Sequence, residues 1–274
     1  MVKSLFTLLL VGAFFCFASL ASGASLKDDL QNLLASETYN SNLNKINSLF
    51  SNEAAFRDSR GNIDYERVTE VLRQNGLLNL NYSGGANMTL GFESVGSPLL
   101  LMKVVSDALS NMGYKYFLTS SIENTPQMVR WSVFVSSRAL VSPGALYSEL
   151  LKANAYIKGI ARVGQFDFAY VIDLSNAKVK TQEYVEGAMP KRPLEAYFYG
   201  VSGANAVEIS AQSADSWVPL VKIFDKNLNL IKQIKEVEKR SNLNVELPSN
   251  AAYIVIDDAF SLENIKRGLS IRIN

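Results

Sequence analysis

The sequence predicts an α+β chain, with short helices, then a central βαββαβ module, then an all-β domain. Three observations carry the prediction. Residues from Leu90 to Leu174 write one small unit twice, first as LGFESVGSPLLLMKVVSDALSNMGYKYFLTSS and then as WSVFVSSRALVSPGALYSELLKANAYIKGIARV. Each copy reads as an extended segment, a Ser-Pro step, an amphipathic helix and a second extended segment. Beyond residue 194 the apolar period shortens to two, in seven short runs separated by turn residues. Two β-α-β halves in tandem make the ferredoxin-like, or split βαβ, arrangement. Seven short strands without a convincing helix make a small β-sandwich or jelly-roll-like domain.

Taken in order, residues 1–24 read as a cleavable signal peptide. Lys3 supplies the positive start, Leu5 to Ala18 an apolar stretch, and Ser22-Gly23-Ala24 the small residues of a cleavage site. That stretch is too short for a comfortable membrane span. Residues 25–82 form an N-terminal helical segment. Leu26, Leu30, Leu33 and Leu34, then Leu43, Ile46, Leu49 and Phe50, predict two short helices. Asp64 caps a third that runs to about Gln74 and ends at Asn75-Gly76. Ser83-Gly84-Gly85-Ala86-Asn87 reads as a turn opening the central module, residues 83–180.

In that module Ser97-Pro98 and Ser142-Pro143 stand where helices take their N-cap and first residue. Leu101, Val104, Val105, Ala108, Leu109 and Met112 make one apolar stripe, and Leu146, Tyr147, Leu150 and Leu151 another. Val129, Trp131, Val133 and Val135 alternate with Arg130, Ser132, Phe134 and Ser136, and Phe166, Phe168, Tyr170 and Ile172 with Asp167, Ala169, Val171 and Asp173. The expected result is two helices on one face of a four-stranded antiparallel sheet. Periodicity then lapses up to Pro193, a linker, before the C-terminal domain at 194–274, with a hairpin turn at Asp225-Lys226-Asn227.

Composition removes several classes of function. There is no histidine, and the single cysteine, Cys16, lies in the predicted leader. The remaining chain lacks the ligand types that zinc, copper and haem sites draw on, and the commonest general base. Of 27 basic residues one is Lys3, which leaves the rest balanced against 26 acids. Without a basic block, no nucleic-acid footprint exists. No cofactor motif occurs.

Candidate chemistry is sparse. Asp257-Asp258 with Asp215 could supply oxygen ligands to calcium, but no loop has the dense alternating acids of a calcium site. Asp167 and Asp173 are six residues apart on a strand, about 20 Å and too far to share a glycosidic bond. A Ser-His-Asp triad is impossible. The Ser-Lys alternative finds only an approximate S-x-x-K at Ser41-Asn42-Leu43-Asn44, and no S-D-N or K-T-G supports it. The aromatics Tyr116, Phe134, Phe166, Phe168 and Tyr170 form the one candidate binding surface, against the default of core packing.

At the level of fold, the central α+β module resembles the ring-building units of secretion and flagellar machines. The hairpin VPLVKIFDKNLNLIKQI and the closing AYIVIDD…LSIRI pair loosely resemble accessory β-sandwich domains of bacterial exported proteins. The resulting expectation is a periplasmic, non-catalytic protein of a Gram-negative envelope. It would mediate protein–protein contact as scaffold or assembly factor, with an envelope protein or with itself. The alternative is a periplasmic module that binds a glycan, peptidoglycan or a peptide on its aromatics.

Overall fold

The computed structural model describes residues 25–274, so the predicted leader lies outside the described residues. Three short helices open the fold: α1 (Leu26–Leu33), α2 (Ser36–Ser41) and α3 (Leu43–Leu49), one more than the apolar spacing predicts. Ser25 and Asp28 close a capping box at the start of α1. In α4 (Tyr65–Gln74) the Asp64 carboxylate accepts the Arg67 N–H at 3.0 Å, and Gly76, at φ +71°, ends the helix as expected.

The central unit follows as β1 (Asn81–Ser94), α5 (Pro98–Asn111), β2 (Leu118–Asn124), β3 (Val129–Ala139), α6 (Pro143–Lys152), β4 (Tyr156–Arg162) and β5 (Phe168–Asp173). These strands form one sheet in the order β2-β3-β1-β5-β4. The expected four-stranded antiparallel sheet is therefore a five-stranded one, in which β5 lies parallel to β1 and separates it from β4. Two contacts draw β5 inward: Tyr170 stacks on Phe92 at 5.6 Å, and Asp167 accepts the Thr89 N–H at 2.6 Å. The predicted turn at residues 83–87 is instead the irregular first half of β1. A bulge between Asn81 and Ala86 absorbs the glycines, with Gly85 at φ +78°.

Strand alternation sets the core. Met88, Leu90, Phe92, Trp131, Val133, Phe168, Tyr170 and Ile172 share one buried face. The buried stripes of α5 and α6 belong to the same core, as do Leu26, Leu30 and Leu33 of α1 and Tyr65, Val68 and Leu72 of α4. The N-terminal segment thus extends the helical layer instead of forming a unit with its own core. Helix α4 packs on α6 and α1 on β4. The crossing of α4 and α6 is close: a Cβ on Gly144 would stand 2.9 Å from the Glu66 Cα.

The seven predicted C-terminal strands are all present: β6 (Tyr197–Gly200), β7 (Ala206–Ala211), β8 (Pro219–Phe224), β9 (Leu230–Lys235), β10 (Asn242–Glu246), β11 (Tyr253–Asp258) and β12 (Leu269–Ile273). They make two antiparallel sheets, β10-β7-β12 and β6-β11-β8-β9. A second core of Val207, Ile209, Trp217, Val221, Ile223, Ile254 and Ile256 belongs to them. The Trp217 indole N–H donates to the Asp257 carbonyl at 2.9 Å, so the largest buried side chain there leaves no donor unmet. Phe224 and Leu228 pack instead into the first core, joined by Phe198, Tyr253 and Val255. The Val179 N–H donates to the Tyr253 hydroxyl at 3.3 Å. Apolar side chains thus join the β8–β11 sheet to the central module.

Candidate functional site

The five nominated aromatics do not form one surface. Phe168 and Tyr170 are fully buried, because their side of β5 is the side that faces the helices. Phe166 is half-buried against the same core. Phe134 and Tyr116 are exposed, at 38 % and 92 %. The aromatic platform is corrected to two exposed residues, Phe134 on β3 and Tyr116 just before β2, the strand that ends the sheet order. There Leu118 pairs with Phe134 across β2 and β3, which sets both on the same face.

That end is an open edge. All seven residues of β2 are exposed, with Leu118 at 71 % and Ile122 at 51 %. One side of β2 pairs with β3, and the other has no strand beside it among the described residues. The strand carries no proline and no lysine, and its one charge, Glu123, lies 3.5 Å from Arg130. A bulge between Thr119 and Ser121 is its only guard of the usual kind. The opposite edge, β4, is treated differently: α1 packs on it and Lys158 and Arg162 lie along it. Among the C-terminal strands, edge strand β9 carries Lys232 and Lys235.

A cavity of about 560 Å³ opens at the carboxyl ends of β1 and β5. Its walls are Val95, Leu100, Val171, Ile172 and Leu174, and its polar rim includes Glu93, Ser97, Lys158, Asp173 and Lys226. Glu93 is held by Arg130 at 2.8 Å. Lys158 donates to Asn62 at 2.8 Å and lies 3.9 Å from Asp173. Burial alone would raise the Asp173 carboxyl, but the Ser175 N–H and hydroxyl, with Lys158, hold it below the usual carboxylate range.

Ser97 and Ser142, alike in sequence, behave differently. Ser142 accepts the Ala145 N–H at 3.4 Å as a cap should. Ser97 is only 6 % exposed, yet its side chain makes no capping bond.

The remaining candidates are structural. Asp258 accepts the N–H groups of Val218, Phe260 and Ser261 and the Asn264 amide, so its oxygens face donors and not a cation. Burial would raise it, but these donors hold it below the usual range. Asp215 pairs with Arg267 at 2.9 Å. Among the described residues no cluster of three or more acids could hold a metal. A true Ser-x-x-Lys spacing, missed by the sequence reading, occurs at Ser175 to Lys178, but on a turn after β5 and not at a helix start.

A buried polar group also lies outside the sequence expectations. Asp29 of α1 is 3 % exposed; one oxygen accepts the Tyr65 hydroxyl at 2.8 Å and the other has no partner among the described residues. Burial, aided by Asp28 and opposed by Tyr65 and Arg57, pushes this carboxyl up to about 6. Tyr65 in turn meets Tyr147 edge to face, and Tyr147 donates to Asp58 at 3.2 Å.

No protein-family model, curated protein or solved structure matches this chain. Function rests on the geometry alone.

Proposed function

We propose that this chain is an exported, non-catalytic periplasmic protein that docks an extended segment of an envelope protein along β2, as scaffold or assembly factor. The open β2 edge carries the reading. An exposed edge offers a row of unpaired N–H and C=O groups, and natural sheets guard such edges unless they use them. Strand addition draws affinity from those main-chain bonds and specificity from side chains on alternating faces. Here Leu118 and Phe134 supply apolar contacts for one face of the incoming strand and Ile122 for the other. An extended polypeptide fits this edge. A second copy of the chain is the simplest variant of such a partner.

The fold reading that accompanies this is a ferredoxin-like βαββαβ module with β5 added between its first and last strands, followed by a β-sandwich. The split order β2-β3-β1 supports the first part, and two facing antiparallel sheets with one core support the second. Export rests on the leader pattern of residues 1–24. Among the described residues no helix is long and apolar enough to cross a membrane. The glycan-binding alternative is weaker, because Tyr116 and Phe134 alone of the proposed stacking aromatics are exposed.

The test is affinity purification of the tagged chain from crosslinked envelopes, beside a Leu118→Lys, Ile122→Lys double variant. Both positions are exposed, so the variant should fold normally. A discrete partner or a self-crosslinked ladder, lost in the variant, is expected. An uncrosslinked monomer, or a partner retained by the variant, would contradict the proposal.

A further inference from the structure

The cavity at the ends of β1 and β5 is independent of the β2 edge and has its own chemistry. We propose that it binds a small organic monocarboxylate with an apolar body, held between the central module and the β8–β9 turn.

Its place in the sheet is the first reason. Strands β1 and β5 are adjacent and parallel, and the chain leaves β1 for α5 but leaves β5 for the linker. Where loops from neighbouring parallel strands diverge, a crevice opens beyond their carboxyl ends. Lys226 and Asn227 of the β8–β9 turn close one side of this crevice. At about 560 Å³ it is in the size range of small-molecule sites, roughly 300–1,000 Å³.

Ser97 is the second reason. Its hydroxyl is in a residue 94 % removed from solvent, makes no hydrogen bond among the described residues, and borders the cavity. Its twin Ser142 shows the bond it could have made to its own helix. Beside it, the first turn of the 14-residue α5 presents the N–H groups of Leu99 and Leu100, which have no acceptor within the helix. Hydroxyl, helix N–H groups and helix dipole together favour a negative oxygen.

Charge then sets the class. Glu93 pairs with Arg130, which Glu123 shares, and Asp173 and Lys158 face each other. The four charges of the rim sum to zero, but Lys226 is without an ion partner among the described residues, so its ammonium is free to meet an anion. One free ammonium on a rim of zero net charge suits a monoanion. Glu93 and Asp173 on the same rim would repel a phosphate dianion. Val95, Leu100, Val171, Ile172 and Leu174 would enclose an aliphatic or aromatic body.

The experiment titrates residues 25–274 with phenylbutyrate, and in parallel with neutral phenylbutanol, by amide NMR. Saturable shifts are expected at Leu99, Leu100 and Lys226, with the alcohol at least about tenfold weaker. Ser97→Ala should weaken phenylbutyrate about tenfold. It should also leave the unliganded protein as stable as before, since Ser97 makes no cap bond. Lys226→Gln should weaken binding a few-fold and abolish its salt dependence. Ser142→Ala, far from the cavity lining, should leave the affinity unchanged. No saturation, shifts scattered over the surface, equal binding of the alcohol, or full affinity in folded Ser97→Ala would each overturn the proposal.

Discussion

Asp29 allows a quantitative test of the packing between α1 and the sheet core, through Asp29→Asn. A carboxyl held at about 6 in the native state and at its ordinary 3.8 when unfolded binds its proton more tightly in the fold. Its contribution to stability is therefore full below pH 3.8, declines as pH rises through about 6, and is gone above that. The whole effect is about 3 kcal/mol, of which roughly 1.3 kcal/mol falls between pH 5 and 7. That window is unusually clean. The chain has no histidine, so no other side chain of ordinary pKa titrates there. The perturbed carboxylates Glu53, Asp58, Asp173 and Asp258 are all lowered, so their stabilisation is present above the unfolded value and lost only in more acid solution. Urea denaturation at pH 5, 6 and 7, read through Trp131 in a Trp217→Phe background, measures the slope in the central core. The background should lose roughly 1.3 kcal/mol across the window and Asp29→Asn should lose almost none. Equal slopes would refute the claim that Asp29 is buried and ionises in place.

Further predictions address local packing. Ser142→Ala should cost about 1 kcal/mol of stability through its lost cap, whereas Ser97→Ala should cost close to nothing, both by denaturant titration. Gly144→Ala places a Cβ 2.9 Å from the Glu66 backbone and 3.0 Å from Thr69, and should cost about 1–3 kcal/mol as α4 is forced off α6. Asp258→Ala strands the Val218, Phe260 and Ser261 N–H groups and should destabilise the C-terminal cores by about 2 kcal/mol, seen as an early Trp217 transition.

Much of the fold is written in local pattern. Period-two runs identify all seven C-terminal strands, and the Ser-Pro steps mark the starts of α5 and α6, because alternation and capping act over a few residues. The position of β5 is not local. Its alternation of Phe168, Tyr170 and Ile172 with Ala169, Val171 and Asp173 is the same at the edge of a sheet as inside it; what inserts it is pairing with Phe92 and Thr89, some 80 residues earlier. The same alternation separates two faces without saying which is covered, so Phe168 and Tyr170 read as a platform and Tyr116 with Phe134 as their equals. The glycines at 84 and 85 signal a break in regular pairing, and a bulge satisfies that signal as well as a turn does. The cavity was illegible for a different reason. Ser97-Pro98 and Ser142-Pro143 are identical dipeptides, and the cavity beside the first is walled by β5 and the β8–β9 turn, segments far away in sequence.

The most direct measurement of the central claim is amide hydrogen exchange along Leu118–Asn124 in the purified chain, alone and in its crosslink-identified complex. Docking by strand addition predicts rapid exchange of the outward amides of β2 in the free chain and strong protection in the complex, with β4 and β9 unchanged. Protection at β4 or β9 instead, with β2 exchanging equally fast in both states, would contradict it.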